Sequence, residues 1–107
     1  YTKRYDQAIA EFTAALDASP QNAMILKSLS TTYNRMGDNV NAISYARMLT
    51  DTNPKSENDL IYLATLYDKN GDLDEAIATL DKVMDLNPDH AAAEKYLNDI
   101  RMRRSNF

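Results

Sequence analysis

The sequence has no cysteine and no tryptophan, and its 107 residues include only two glycines, three prolines and one histidine. Without cysteine, neither a disulfide framework nor a thiolate metal site can form, although this does not decide the compartment. The few glycines and prolines leave little room for a fold rich in loops. No apolar run approaches the roughly 20 residues needed to span a bilayer, so we predict no membrane contact from this segment.

Composition is that of one globular domain, with 44% hydrophobic and 26% charged residues. The formal net charge of −4 argues against a nucleic-acid partner, because such proteins bind phosphates through clustered lysine and arginine. The chain has neither an initiator methionine nor a signal peptide at its start. In the repeat register described below, Tyr1 falls just before a helix and Phe107 falls where another should start. We therefore expect a segment of a longer protein.

What the sequence does contain is a period of 34 residues, best formed in the stretch Glu57–His90. Shifting this stretch back by 34 places Pro88 on Pro54 and Gly71 on Gly37, and a second shift reaches Pro20. These are all the prolines and glycines in the chain. Fixed periods of this size are typical of repeat architectures, in which neighbouring units bury one another's apolar faces.

Within each period the apolar residues recur at three- and four-residue spacing, which predicts helices with one buried face, and no strand-like alternation competes. We predict a partial unit at residues 1–22 with a helix over Asp6–Ala18, full units at 23–56 and 57–90, and a terminal helix within 91–107. The predicted N-caps are Asn22 and Asp38, with capping boxes at Ser56/Asp59 and Asp72/Glu75. The predicted buried positions of the middle unit and the last helix are Leu26, Leu29, Ser30, Tyr33, Met36, Ala42, Ile43, Ala46, Leu49, Ala93, Tyr96, Leu97 and Ile100.

These landmarks resemble the tetratricopeptide repeat. The first helix of that family has a large residue, a leucine, a small residue and a tyrosine, which here are Leu26, Leu29, Ser30 and Tyr33. They recur as Leu60, Leu63, Ala64 and Tyr67. Second helices carry alanine, a large apolar residue and a final proline, as in Ala8, Phe12, Pro20 and in Ala76, Leu80, Pro88. Ala46 departs from this pattern because it is small, and Tyr45 beside it is expected to fill the gap. Glu94 and Arg101 also depart, as suits a terminal helix.

The resemblance implies an all-α fold of six helices, in which antiparallel helix-turn-helix repeats stack in a right-handed superhelical solenoid. It also implies a protein-interaction scaffold that holds a peptide or partner helix in a concave groove lined by first helices. Helical spacing places a set of candidate side chains on that groove face. They are Lys27, Thr31, Asn34, Arg35, Asn58, Ile61, Tyr62, Thr65, Lys69, Lys95, Tyr96, Asp99 and Arg103, with Ser28 and Asp68 on the same flanks.

The groove charges predict an acidic partner, while a plain solvated face is the alternative. Five of these side chains are basic and two, Asp68 and Asp99, are acidic; a positive groove favours an acidic peptide or a carboxylate end. In family members that clamp a C-terminal carboxylate, lysines and asparagines occupy set positions. Lys27 matches one of them, but Thr31 and Tyr62 stand where asparagines are expected, which argues against a chaperone-tail clamp.

No enzyme, metal or cofactor is predicted from the remaining residues. His90 is the only histidine and is interpreted as a solvated residue at a helix start, since a zinc site needs three or four ligands. The stretch from Asp68 to Asp74 looks like a calcium loop but lacks glycine and glutamate at the required positions. The alternative function is self-assembly, through an apolar patch of Ile9, Phe12 and Leu16 predicted to be exposed. An enzymatic role would need a catalytic domain outside this segment.

Overall fold

The computed structural model describes residues 2–106, and within them the chain forms six α-helices and no β-strand. The predicted all-α architecture of six helices is confirmed for this part of the chain. Tyr1 and Phe107, on which the expectation of a longer protein partly rested, lie outside the described residues. The helices are α1 (Thr2–Ala18), α2 (Ala23–Met36), α3 (Asn39–Thr52), α4 (Glu57–Lys69), α5 (Leu73–Leu86) and α6 (Ala91–Ser105).

The helices divide into two compact units, one ending at Asn53 and one beginning at Pro54. Unit 1 contains α1, α2 and α3, and α2 packs against both of the others. Unit 2 contains α4, α5 and α6, and α5 packs against both of the others. Each unit therefore consists of one helix-turn-helix pair with one additional helix.

The turn inside each helix pair is built around a glycine with positive φ, at +84° for Gly37 and +82° for Gly71. The amide of Asp38 donates to the carbonyl of Tyr33 at 2.9 Å, and that of Asp72 donates to Tyr67 at 2.8 Å. These bonds satisfy carbonyl groups that the end of a helix leaves unpaired. The predicted stop at Gly37 is confirmed.

The core of unit 1 lies where α2 meets α3. Leu29 and Ala46 are fully buried, and the Ser30 hydroxyl donates to the carbonyl of Ala42 at 2.7 Å. A small residue at this position lets the two helices approach, and Ala64 occupies the equivalent position in unit 2. The predicted burial is confirmed for Leu26, Leu29, Ser30, Ala42, Ile43, Ala46 and Leu49.

Tyr45 stacks on Tyr33, with ring centroids 5.7 Å apart and planes at 7°. This pair supplies apolar bulk beside Ala46, at a level of the repeat where unit 2 has Leu80. Burial raises the pKa of the Tyr33 hydroxyl, with smaller contributions from Tyr45, Asp38 and Asp6.

The core of unit 2 is a single apolar cluster drawn from all three helices. Its buried members are Leu60, Ala64, Ala76, Ile77, Leu80, Val83, Ala93, Leu97 and Ile100. The predicted burial of Ala93, Leu97 and Ile100 is confirmed. Tyr96 packs against the cluster and is only half-buried.

Four local predictions are corrected by the structure. Helix α1 begins at Thr2 rather than Asp6, because Lys3 and Arg4 stand where later units have a glycine and an aspartate to break the helix. Met36 is 36% exposed, since it is the last residue of α2. Asp72 makes no side-chain cap bond to α5; its carboxylate accepts instead from the Asn70 amide at 2.8 Å.

The fourth correction concerns the apolar face of α1. Ile9, Phe12 and Leu16 are half-buried rather than exposed. Because α1 packs against α2 within unit 1, this face is partly covered by the chain itself. These three side chains therefore do not form the broad exposed apolar patch on which the prediction of self-assembly rested.

Candidate functional site

The predicted groove residues fall on three helices, and the boundary between the units separates them into two groups. In unit 1, α2 carries Lys27, Thr31, Asn34 and Arg35. In unit 2, α4 carries Asn58, Ile61, Tyr62, Thr65 and Lys69, and α6 carries Lys95, Tyr96, Asp99 and Arg103. Among these residues Ile61 packs against the core of unit 2, and the Thr65 hydroxyl donates to the carbonyl of Tyr62 at 2.6 Å.

Unit 1 has an open cleft of about 490 Å³ between α1 and α2. Helix α2 contributes Lys27, Thr31 and Arg35, which recur every four residues and so share one face of the helix. Ser28 and Thr32 complete this wall. The opposite wall comes from α1 and was not predicted; it consists of Arg4, Tyr5, Ala8 and Phe12.

The chemistry of this cleft combines positive charge with apolar surface. Arg4, Lys27 and Arg35 are all exposed, whereas Tyr5 and Phe12 are half-buried. Among the described residues that line the cleft, three are cationic and none is a carboxylate. Such a surface attracts anionic groups and offers aromatic rings for apolar contact.

In unit 2 the central feature is Asp68, near the end of α4. The Arg103 guanidinium on α6 donates to both of its carboxylate oxygens, at 2.8 and 3.0 Å. The Tyr96 hydroxyl, also on α6, donates to the Oδ2 atom at 2.7 Å. The Asp68 side chain is only 19% exposed, so this carboxylate is largely withdrawn from water. The structure thus brings together three residues of the predicted groove face, but they bind one another.

Protonation equilibria follow from this geometry. The hydrogen bond from Arg103 is the largest effect on the pKa of Asp68 and lowers it. Burial opposes this lowering, and the hydrogen bond from Tyr96 adds a further lowering that is smaller than the effect of burial. Burial, together with the hydrogen bond to Asp68, strongly raises the pKa of Tyr96. Asp68 is therefore ionised and Tyr96 neutral at physiological pH, which is the state in which all three bonds form.

A second open cleft, of about 420 Å³, lies along α6. Its lining includes Tyr96, Arg103, the exposed carboxylate of Asp99 and Met102, which is 66% exposed. Among the described residues, this lining contains one cation and one carboxylate, whereas the lining of the unit 1 cleft contains three cations and no carboxylate.

The basic end of α6 makes further ion pairs that the sequence did not predict. Arg104 donates to Asp74 at 3.0 Å and Arg101 donates to Asp81 at 3.2 Å, both on α5. Cations near the C-terminus of a helix are also favoured by the helix dipole. Exposed pairs of this kind contribute about 0–1 kcal/mol each to stability.

His90 is the N-cap of α6, and its Nδ1 atom accepts from the amide of Ala93 at 3.1 Å. Its Nε2 atom lies 4.0 Å from Glu57, which also accepts from Asn87 at 3.0 Å. The predicted position at a helix start is confirmed, but the side chain is 23% exposed and therefore half-buried rather than solvated. The position of His90 directly before a run of alanines could have indicated an N-cap, but histidine is an uncommon residue at the N-cap of a helix.

The described part of the chain was searched for metal-binding clusters and for helices that could span a membrane. Between residues 2 and 106, no three histidine or carboxylate side chains are grouped so as to hold a metal ion. Gly71 and Asp72 form the turn between α4 and α5, as described above. None of the helices in the described range combines the length and apolar character that a bilayer crossing requires.

Helix-turn-helix pairs repeated at a 34-residue period define a helical repeat protein. Two family models described as tetratricopeptide repeat match the sequence, one over residues 34–100 and the other over residues 1–57. Each match spans more than half of the 107 residues, and the chain therefore belongs to the tetratricopeptide repeat family. A search of curated protein sequences finds no match.

Solved structures support the same fold. The first tetratricopeptide repeat domain of Spaghetti (RPAP3), bound to the HSP90 peptide SRMEEVD, has a TM-score of 0.78 at 22% identity, covering 97% of this chain and 82% of that one. The Yersinia enterocolitica type III secretion chaperone SycD, in complex with a peptide of the translocator YopD, has a TM-score of 0.79 at 17% identity, covering 96% and 84%. MamA has a TM-score of 0.81 at 23% identity, covering 97% of this chain and 61% of MamA.

Proposed function

We propose that this chain is a protein–protein interaction module that binds a peptide or partner helix through the exposed faces of its first helices, and that unit 1 selects acidic segments. The observation that carries the proposal is the unit 1 cleft, where Arg4, Lys27 and Arg35 surround two half-buried aromatic side chains. Spaghetti (RPAP3) and SycD, which share the fold, were each solved with a peptide. These neighbours support the general role, and the cleft supports the choice of ligand.

Charge and shape favour an extended or helical segment over a small molecule. The cleft is open, whereas pockets for small ligands bury most of the ligand surface. Aspartate or glutamate side chains can pair with the cations, while a neighbouring apolar side chain contacts Tyr5 and Phe12. Thr31 and Tyr62 replace the asparagines expected of a terminal-carboxylate clamp, so we assign the acidic groups to side chains within the segment.

The proposal can be tested with a synthetic peptide of alternating glutamate and leucine, compared with the same peptide carrying lysine in place of glutamate. The double variant Lys27→Glu and Arg35→Glu should weaken binding of the acidic peptide at least tenfold, since it converts two attractive groups into repulsive ones. A matched control is the double variant Arg47→Glu and Lys82→Glu, which changes the net charge equally at exposed positions outside the cleft lining.

Isothermal titration at two salt concentrations would give the affinities. Binding of the acidic peptide that is equal in both double variants would refute the cleft as the site. Equal affinity for the glutamate and lysine peptides would refute the choice of an acidic ligand.

Tyr62 and Tyr96 are predicted to contribute to ligand binding, and substitutions at these two positions test this. For Tyr96 a more conservative change than alanine is needed. Tyr62→Ala tests the α4 face directly, because Tyr62 is half-buried at the surface of unit 2. Tyr96→Ala would also remove packing against the core, so Tyr96→Phe is the better variant. If neither substitution changes the affinity for a peptide that binds this chain, these tyrosines of unit 2 do not contribute to binding. Self-association through α1 is not proposed, because Ile9, Phe12 and Leu16 are half-buried.

A further inference from the structure

Arg103 and Tyr96 are two polar donors that line the cleft along α6, and both are already bound to a carboxylate of the same unit. Arg103 uses two donor groups on Asp68, in the forked arrangement by which arginine binds a carboxylate ligand. Tyr96 donates its only hydroxyl proton to the same side chain. Asp68 thus stands where the carboxylate of an acidic ligand would bind these two residues.

We propose that Asp68 is a specificity-determining residue that acts as an internal carboxylate and excludes acidic ligands from the cleft along α6. The inference rests on the proposed function in that it concerns which peptides each unit accepts. An incoming carboxylate would have to displace a bidentate partner that is tethered to the chain and only 19% exposed. A tethered partner has a high effective concentration, so a free carboxylate competes poorly with it.

The remaining charge of this cleft acts in the same direction. Asp99 is exposed, lines the cleft and lies four residues before Arg103 on α6. With Arg103 compensated by Asp68, Asp99 adds a negative charge that repels an acidic segment. Met102, 66% exposed in the same cleft, offers apolar contact instead. The unit 1 cleft and the α6 cleft therefore have opposite charge preferences.

Asp68→Asn should open the α6 cleft to acidic ligands. Asparagine has the same shape and can still accept from Tyr96, but it no longer holds the guanidinium as an ion pair. Arg103 could then turn toward Asp99, yet an exposed ion pair four residues apart on one helix is weak. The guanidinium would thus become available to a ligand carboxylate.

The test is made in the Lys27→Glu, Arg35→Glu background, in which the unit 1 cleft is blocked. Adding Asp68→Asn should raise the affinity for the glutamate–leucine peptide about fivefold, which is the scale of one exposed ion pair. The matched control is Asp74→Asn, which releases another arginine of α6, Arg104, from a 3.0 Å pair with α5 and changes the net charge equally. Adding Arg103→Gln to the Asp68→Asn variant should remove the gain.

A measurement on the unmodified protein does not depend on the folding of any variant. In a ¹⁵N NMR titration with the acidic peptide, the side-chain signals of Arg35 should shift and those of Arg103 should not. Equal shifts of both would overturn the inference, as would equal gains from Asp68→Asn and Asp74→Asn. If the peptide shifts neither arginine, the proposed function of unit 1 fails, while the comparison of the two aspartate variants still decides the role of Asp68.

Discussion

Leu80→Ala should be among the most damaging single substitutions in unit 2, and its cost can be worked out from burial. Leu80 is 0% exposed and belongs to the core cluster built from α4, α5 and α6. The substitution removes three carbon atoms, which at about 0.8 kcal/mol each gives about 2.4 kcal/mol of lost transfer free energy. The cavity left behind adds to this, so we expect a total loss of about 3–4 kcal/mol, within the range for buried leucines.

The same substitution at an exposed site provides the control. Leu86 lies on the same helix and is 41% exposed, so Leu86→Ala leaves no enclosed cavity and should cost about 1 kcal/mol. Both variants have the same change in composition and helix propensity. The difference between them therefore isolates burial in the core.

Urea unfolding followed by circular dichroism at 222 nm would give both free energies of unfolding. For a chain of this length the total is about 5–15 kcal/mol, so the loss at Leu80 is easily measured. Hydrogen exchange by mass spectrometry should in addition show faster exchange in α4, α5 and α6. A loss below about 1 kcal/mol for Leu80→Ala, or equal losses for the two variants, would refute the assigned core.

Three further predictions concern a turn, a cap and an ion pair. Gly37→Ala should lower the free energy of unfolding in urea by about 1–2 kcal/mol, because a residue with a Cβ atom is strained at a φ of +84°. The added methyl group itself meets no atom within 4 Å. An unchanged free energy of unfolding would contradict the left-handed turn. His90→Ala should cost about 1 kcal/mol and His90→Asn much less, since asparagine can also cap α6; equal losses in thermal unfolding would argue against the cap. The lowered pKa of Asp68 means that its contribution to stability is complete above the ordinary aspartate pKa of about 3.9 and is lost as the pH falls through the lowered value. In acid titrations of stability, the difference between wild type and Asp68→Asn should therefore shrink below about pH 4; a constant difference would contradict the ion pair.

Local sequence patterns were sufficient to predict the helices, their turns and most of the core. Apolar spacing is a local signal, and Gly37 stops a helix through its own backbone preference, so both can be read without a structure. The same reasoning placed Leu26, Leu29 and Ala46 inside. It failed at α1, where a missing turn signal let the helix extend to Thr2, and at Met36, where position at a helix end outweighed the apolar pattern.

Which side chains of the candidate site contact one another depended on the tertiary structure. The repeat register placed Asp68, Tyr96 and Arg103 on groove faces, but it could not show that they bind one another. Tyr96 is 28 residues from Asp68 and Arg103 is 35 residues from it, so they meet only when α6 is packed in the folded unit. The unit 1 cleft likewise needed Arg4 and Phe12 from α1 to face Lys27 on α2. Helical periodicity fixes the face on which a side chain lies, whereas its partner depends on distances between helices that no local pattern encodes.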